Sequence, residues 1–278
     1  MTQAIHCRPS PRTSAPRVEQ VEKHSISGRI FGFLYGVICY TAGMASLVYA
    51  ALWVGNFWLP TTLDSAPTMP FAHALLINLG LLGLFSLQHS GMARPAFKQR
   101  WTKIIPASVE RSTYVLTSAV AIVVMMYFWQ PLGISIWEIE NVTLKTLVYA
   151  LYAVGWGLLV TSTFWLNHFD LFGLRQVWLN LRGKPYVHLP FKTPALYNKI
   201  RHPLYVGWLT LMWATPTMTV SHFVFAAGST IYILLAITWE ERDLVNCLPE
   251  YRDYQQRVPK LVPRFMRKTT DAATIQTA

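Results

Sequence analysis

Long apolar segments constrain the fold of this chain more than any other feature. Six of them are about long enough to cross a bilayer as helices, which takes roughly 20 residues each. They lie near residues 30–58, 71–92, 112–131, 144–166, 203–219 and 222–239. The last two are separated by a short turn, so they predict a C-terminal helical hairpin in which either arm could be too short to span. We therefore expect an all-α polytopic membrane bundle of five to six transmembrane helices.

The composition favours a membrane protein over a soluble one. Hydrophobic residues make up 53% of the chain and charged residues only 13%, whereas a soluble domain typically carries about 25% charge. The formal net charge of +11 could indicate a nucleic-acid binder, but such proteins gather their basic residues along one solvated surface. Here the basic residues lie between apolar segments, so we expect no nucleic-acid partner.

The positions of the basic residues predict the orientation of the bundle. All of the 24 Lys and Arg residues except Lys145 lie in the two tails or in the connections after the second and fourth apolar segments. A chain with six crossings places these regions on one side, which the positive-inside rule makes cytoplasmic. We expect both termini in the cytoplasm and membrane lipids with anionic headgroups against the basic loops.

The polar sequence divides the chain into one membrane domain and two tails. We expect largely disordered tails at residues 1–29 and 268–278 and a membrane domain at residues 30–267. The long polar stretches of the domain, about 167–202 and 240–267, are too short to make a separate domain. We expect them to form a cytoplasmic cap on the bundle.

Two charged clusters meet in this cap if the last two apolar segments form a hairpin. Arg201 and His202 precede Pro203, and proline is well tolerated in a first helical turn. The free backbone N–H groups of such a turn attract anions. Glu240 and Glu241 end the last helix, where carboxylates oppose the helix dipole and need a cationic partner. An anion site beside a cation site suits a zwitterionic ligand. The alternative is a capped helix with its charges among lipid headgroups.

Two further polar clusters lie at helix ends on the same side. His168 and Asp170 follow the fourth apolar segment, where a carboxylate could orient a histidine that accepts a proton. A structural contact that caps the helix is an equally good interpretation of this pair. His89 ends the second segment and would face the same layer as Arg111 and Tyr114 at the start of the third. The histidine spacings match no metal-binding motif, so we expect no metal.

These motifs resemble a known superfamily. Arg-His-Pro-x-Tyr-x-Gly at 201–207, Glu-Glu-Arg-Asp-Leu at 240–244 and Tyr-x-x-Tyr at 251–254 are similar to the cofactor half of the isoprenylcysteine carboxyl methyltransferases. Those are integral membrane enzymes that use S-adenosylmethionine. The stretch Asn-His-Phe-Asp-Leu-Phe-Gly-Leu-Arg-Gln at 167–176 resembles one bacterial branch more closely, the methanethiol S-methyltransferases. The resemblance covers about residues 30–265 and implies a location in the bacterial inner membrane.

The resemblance implies a donor site in about residues 167–267. S-adenosylmethionine would be held there by residues of the motifs and the tyrosine pair: Arg201, His202, Tyr205, Gly207, Glu240, Glu241, Tyr251 and Tyr254. Its methyl group would pass to methanethiol and give dimethyl sulfide. Which of the two glutamates contacts the donor is left open.

The implied reaction also needs a way to activate its small thiol substrate. Alkyl thiols are mostly protonated at neutral pH, because even the more acidic cysteine thiol has a pKa of about 8.5. A base or a stabilising charge is therefore required. We expect His168 to act as the base and Asp170 to orient it. The other expected catalytic residues are His89, Arg111 and Tyr114.

Two other functions stay open from the sequence. The enzyme could methylate another acceptor, such as a lipid amine, an isoprenylated cysteine or a selenol, and a lipid would need a wide lateral opening between helices. The protein could instead be a non-enzymatic membrane subunit with His89 and His168 as haem ligands. A transporter is disfavoured, because charge is nearly absent within the apolar segments. The oligomeric state does not follow from the sequence.

Overall fold

The computed structural model describes residues 25–263 and confirms an all-α membrane bundle. The elements of this part of the chain are α1 (Ile26–Val54), α2 (Phe71–Ala93), α3 (Pro95–Trp101), α4 (Ala107–Phe128), β1 (Ser135–Glu138), α5 (Val142–Leu166), α6 (His168–Leu171), α7 (Leu174–Leu181), α8 (Pro203–Trp213), β2 (Thr217–Thr219), α9 (Val220–Cys247) and α10 (Pro249–Arg257). A 3-10 turn at Ala195–Asn198 precedes α8.

Five of the described helices are long and apolar enough to cross a membrane: α1, α2, α4, α5 and α9. The predicted segment 203–219 is the short arm of the hairpin. Its helix, α8, has 11 residues and a length of about 16 Å at 1.5 Å per residue, roughly half of a hydrocarbon core. The remaining residues of the segment run extended into β2.

The first helix begins before the predicted apolar segment. Ser25 caps α1, because its hydroxyl accepts a hydrogen bond from the backbone N–H of Gly28 at 3.2 Å. The helix therefore starts at Ile26 and not at residue 30. The rest of the predicted N-terminal tail, 1–24, and the predicted C-terminal tail, 268–278, lie outside the described residues.

Alternating helix directions bring the helix ends to two levels. We call one level the site end, where α2, α5 and α9 finish and α4 and α8 begin. At the opposite level, the far end, α1 finishes at Val54, and Asn141 and Thr219 cap α5 and α9 through their side chains. The side of the membrane that each end faces stays a prediction.

A short antiparallel sheet closes part of the far end, and the sequence did not predict it. Ser135 of β1 pairs with Thr219 of β2, and Glu138 pairs with Thr217. Strands of four and three residues carry too little alternation to be recognised. The sheet connects the loop after α4 to the start of α9.

Gly207 lies in a helix contact between α5 and α8. A Cβ atom at Gly207 would lie 2.8 Å from both the Gly155 carbonyl oxygen and the Leu159 backbone nitrogen. Only glycine permits this approach, because such contacts are far inside the normal separation of carbon atoms. Gly207 thus lets α8 pack closely against α5, and its expected contact with the donor stays a prediction.

Candidate active site

A cavity of about 270 Å³ extends through the bundle from the site end toward the far end. On α9 its lining reaches from Phe225 near the far end to Glu240 and Leu244 at the site end. Phe225 and Glu240 are about 22 Å apart along the helix, at 1.5 Å per residue. The cavity is polar and aromatic at the site end and apolar toward the far end, so its two parts suit different ligand chemistries.

At the site end, Glu240 is part of the cavity lining. The hydroxyl of Tyr205, on α8, donates a hydrogen bond to Oε2 of Glu240 at 3.1 Å, and both side chains are buried. The buried hydroxyl of Tyr197, also in the lining, has no hydrogen-bond partner among the described residues. A buried polar group without a partner costs free energy, so this hydroxyl marks a place where a ligand acceptor would fit.

Three aromatic rings form one wall of the same end. Phe191 lies 5.9 Å from Tyr251 and 5.4 Å from Tyr254 between ring centroids, and the two tyrosine rings are 5.5 Å apart. The Tyr254 hydroxyl donates to the Tyr197 carbonyl oxygen at 2.6 Å. Burial raises the pKa of Tyr254 to about 12 and also raises the pKa of Tyr251. Both hydroxyls therefore stay protonated at neutral pH, and the wall presents flat apolar faces.

The two charged clusters do meet, but Glu241 faces away from the cavity lining. Its Oε1 accepts hydrogen bonds from Nε of Arg201 at 2.7 Å and Nε2 of His202 at 2.9 Å, and its Oε2 accepts from Gln255 at 3.0 Å. Burial lowers the pKa of His202, although Glu241 opposes this shift. The predicted anion site thus already holds a carboxylate of the chain itself. Arg201 and His202 also line the cavity.

Arg201 extends this contact to the C-terminal helix. Its Nη1 donates to the carbonyl oxygens of Gln255 at 2.7 Å and Val258 at 2.5 Å. Glu241 and Arg201 together hold α10 against α9 and so position the aromatic wall that carries Tyr251 and Tyr254. The two adjacent glutamates therefore have different surroundings: Glu240 faces the cavity, and Glu241 connects secondary elements.

Halfway along the cavity, His89 forms a compact cluster with Tyr114 and Arg111. The Tyr114 hydroxyl lies 3.0 Å from Nε2 of His89, and Ser118 lies 3.2 Å from Nδ1. The guanidinium carbon of Arg111 lies 4.7 Å from the centroid of the Tyr114 ring, a cation–π distance. The sequence predicted that these three residues face the same layer, and the structure places all of them in the cavity lining.

Arg111 is a buried cation with an unused hydrogen-bond donor. Its Nε donates to the Leu171 carbonyl oxygen at 2.6 Å. Its Nη1 is buried and has no partner among the described residues, and only 3% of the residue is exposed. A buried guanidinium with a free N–H is a strong site for an anion.

His168 and Asp170 make their hydrogen bonds to different partners. Asn167 takes a left-handed conformation with a φ of 85° between α5 and α6. The His168 ring lies 2.9 Å from the Tyr40 hydroxyl through Nε2 and 2.8 Å from the Thr163 hydroxyl through Nδ1. Both ring nitrogens therefore contact hydroxyls and not the Asp170 carboxylate. Burial lowers the pKa of His168, so the ring is neutral at neutral pH.

Asp170 instead holds α6 to the segments that follow. Its Oδ1 accepts hydrogen bonds from Nη1 of Arg175 at 2.9 Å and the Tyr186 hydroxyl at 3.0 Å. The described cavity lining includes Leu171 and Phe172 but neither His168 nor Asp170. The catalytic roles expected for these two residues stay predictions, and their positions favour a structural contribution.

Sequence reasoning missed several residues of the lining. Phe191 and Tyr197 lie in the loop before α8, and Tyr232 lies within α9, where its hydroxyl is 2.9 Å from that of Ser90. Aromatic residues within the polar stretch before the Arg201 motif were the signal available for Phe191 and Tyr197. Tyr232 had none, because aromatic residues are also common in lipid-facing helices.

Known proteins similar to this chain include enzymes with a named reaction. A methanethiol S-methyltransferase from Crocosphaera subtropica is 50% identical over 252 residues, which are 90% of this chain and 99% of that protein. A methanethiol S-methyltransferase from Mycobacterium tuberculosis is 44% identical over 242 residues, 87% of this chain and 99% of that protein. Nurim from Bos taurus is 31% identical over 198 residues, 67% of this chain and 72% of that protein. No family model and no solved structure matches the chain.

Proposed function

The chain belongs to the methanethiol S-methyltransferase family, and we propose that it transfers a methyl group from S-adenosylmethionine to the sulfur of methanethiol. The products are dimethyl sulfide and S-adenosylhomocysteine. The observation that carries the proposal is the continuous cavity, which joins a polar, aromatic end to a buried cluster of His89, Arg111 and Tyr114. Such a cavity brings a large polar donor and a small thiol into contact away from water.

The site end of the cavity fits the chemical groups of S-adenosylmethionine. Glu240 would hold the ammonium group or the ribose hydroxyls, and the rings of Phe191, Tyr251 and Tyr254 would face the adenine. The unpartnered Tyr197 hydroxyl would donate to an acceptor of the donor molecule. When bound, the donor supplies a methyl carbon attached to a positively charged sulfur, which a thiolate can attack.

The His89 cluster would activate the thiol. A neutral imidazole accepts the proton of the thiol, and the Tyr114 hydroxyl keeps the ring in place through its contact of 3.0 Å. The free Nη1 of Arg111 would stabilise the thiolate that results, as a buried guanidinium does for other anions. His89 later releases the proton to solvent, which resets the site.

The apolar surroundings favour this reaction. A thiolate and a sulfonium ion neutralise each other as the methyl group moves, so charge disappears in the transition state. A cavity with few polar walls lacks the water that would stabilise the separated charges. Alignment of the two sulfur atoms with the methyl carbon would supply much of the remaining rate enhancement.

The donor site and the basic loops lie at the same end of the bundle. S-adenosylmethionine is a cytoplasmic metabolite, and the basic residues of the described loops gather at the site end. We infer that the site end faces the cytoplasm and that the protein lies in the inner membrane of a bacterium.

Acceptor comparison tests the proposal against its alternatives. Purified protein in detergent is incubated with S-adenosylmethionine and one of three acceptors: methanethiol, methaneselenol or phosphatidylethanolamine. We expect S-adenosylhomocysteine to form with methanethiol. Formation with phosphatidylethanolamine alone would assign a lipid substrate. A Soret band in the absorbance spectrum, without methyl transfer, would instead support a haem-binding subunit.

A further inference from the structure

Beyond the His89 cluster the cavity continues as an apolar chamber that methanethiol would leave largely empty. We propose that this chamber binds the alkyl tail of longer thiols, so that the enzyme also methylates unbranched alkanethiols. The inference rests on the proposed function, because it places the thiol sulfur beside His89 and Arg111. It extends that function by naming the acceptor class as thiols with an apolar tail of limited length.

The chamber has a length that can be read from two of its helices. On α9 the lining runs from Tyr232, at the level of the His89 cluster, to Phe225, a distance of about 10 Å at 1.5 Å per residue. On α4 it runs from Ser118 to Met126, about 12 Å. An extended alkyl chain advances about 1.25 Å per carbon, given a C–C bond of about 1.52 Å and tetrahedral angles. These spans set an upper limit of about eight carbons.

The rings of Trp53 and Phe225 line the far end of the chamber, and Trp129 packs against both of them. The rings of Trp53, Trp129 and Phe225 meet edge to face, with centroids separated by 5.8, 5.4 and 5.6 Å. The Trp129 indole N–H donates to the Ser221 hydroxyl at 2.9 Å, and that hydroxyl donates to the Leu63 carbonyl oxygen at 2.9 Å. This floor is held by hydrogen bonds, so the length of the chamber has a fixed limit.

A polar network behind the floor fixes it further. His222 is fully buried, with Nδ1 3.1 Å from Oδ2 of Asp64 and Nε2 2.9 Å from the Met212 carbonyl oxygen. Asp64 also accepts hydrogen bonds from Asn56 and Thr219. These contacts join the loop after α1 to the start of α9, and they separate the chamber from the far surface.

The chamber walls match a linear hydrocarbon. Between the His89 cluster and the floor the described lining is contributed mainly by Leu82, Ile122, Met125, Met126, Trp208 and Met212. Methionine side chains are flexible and adapt to apolar ligands of different shape. Each methylene moved from water into such surroundings should improve kcat/KM about fourfold, until the chain reaches the floor.

Each turnover with a longer thiol balances as it does with methanethiol. One bond forms between the thiol sulfur and the methyl carbon. The bond between that carbon and the donor sulfur breaks, and its electron pair stays on the donor sulfur. The thiol proton leaves through His89 to solvent, and the products are an alkyl methyl sulfide and S-adenosylhomocysteine.

A chain-length series tests the chamber. The purified protein is given S-adenosylmethionine with methanethiol, butanethiol, hexanethiol, octanethiol or dodecanethiol, and kcat/KM is measured for each. We expect kcat/KM to rise up to about eight carbons and to fall for dodecanethiol. Turnover of methanethiol but not of butanethiol or hexanethiol would overturn the inference while leaving the proposed function intact.

A binding measurement separates the chamber from the chemistry. Hexyl methyl sulfide, the product expected from hexanethiol, should raise the melting temperature of the protein more than dimethyl sulfide at equal concentration. It should also change the tryptophan fluorescence, because Trp53 and Trp208 line the cavity. Equal effects of the two sulfides would contradict the proposal that the chamber binds an alkyl tail. This measurement does not depend on methyl transfer.

Paired variants locate the tail. Ile122 lines the chamber, whereas the neighbouring Val123 is 49% exposed on the outer surface of α4. We expect Ile122→Phe to lower the ratio of hexanethiol to methanethiol turnover at least tenfold, and Val123→Phe to leave it unchanged. Phe225→Ala opens the floor and should shift the optimum toward longer thiols. Equal changes for short and long thiols in both chamber variants would overturn the inference.

Discussion

The Tyr114 hydroxyl lies 3.0 Å from Nε2 of His89, and this contact fixes an imidazole on the cavity wall beside the buried guanidinium of Arg111. The cluster lies between the polar site end and the apolar chamber. In the proposed function, His89 and Arg111 would generate the thiolate at the place where the methyl donor and the acceptor meet.

Replacing His89 should remove the base without removing the donor site. We expect His89→Ala to lower kcat by about 10²- to 10⁴-fold, the usual contribution of a general base, with little change in the Kd of S-adenosylhomocysteine. His73→Ala is the matched control, because His73 lies on the same helix but is exposed near the far end. Full turnover by His89→Ala would move proton transfer to another group, and His168 would be examined next.

Replacing Arg111 should make turnover depend more strongly on pH. Without the guanidinium the pKa of the bound thiol is higher. Arg111→Met should therefore lose most of its activity at pH 7 and recover part of it as the pH rises toward the pKa of the free thiol. Kinetics of kcat/KM from pH 6.5 to 9.5 measure this change. Arg100→Met, at an exposed position, should keep the wild-type profile. A uniform loss of activity at every pH would indicate a structural role for Arg111.

The two adjacent glutamates should fail in different ways. We expect Glu240→Gln to weaken S-adenosylmethionine binding at least tenfold, measured by calorimetry, with little change in the melting temperature. Glu241→Gln should reduce stability by about 2 kcal/mol, because Arg201 and His202 lose a charged acceptor. Its effect on donor binding should follow from the loosening of α10. The reverse pattern would exchange the roles of the two residues.

His168 should affect stability and its pH dependence more than turnover. Burial lowers its pKa, so the folded protein keeps the ring neutral and loses stability as the pH falls below about 6.5, where the unfolded ring gains a proton. In His168→Gln this titration is absent, so its melting temperature should fall less between pH 7.5 and 5.5 than that of the wild type. His202 shifts in the same direction in both proteins, so their difference isolates His168. Abolished turnover with intact donor binding would return His168 to the role of base.

Much of the fold could be predicted from the sequence, because the length of an apolar segment decides whether a helix can span a bilayer. Helix α8 is the exception. The apolar residues of α8 continue into β2, so hydropathy alone does not show where the helix stops. Its end depends on pairing with β1, about 80 residues earlier in the chain, which no local pattern reports.

Of the residues predicted as catalytic, His89, Arg111 and Tyr114 lie in the described cavity lining, whereas His168 and Asp170 do not. Glu240 and Glu241 are neighbours that point about 100° apart on a helix, and only the position of α8 decides which one meets Arg201. The left-handed conformation of Asn167 turns His168 toward Tyr40, and the sequence carried no sign of that turn. His89 meets Arg111 and Tyr114 because α2 ends at the level where α4 begins.

The most direct test of methyl transfer to a thiol uses an isotopic label. The purified protein is incubated with methanethiol and S-adenosylmethionine that carries a trideuterated methyl group, and the headspace is analysed by gas chromatography and mass spectrometry. We expect dimethyl sulfide with one deuterated methyl group, formed in equal amount to S-adenosylhomocysteine. No labelled dimethyl sulfide, from protein that binds the donor and is folded, would contradict the proposed function.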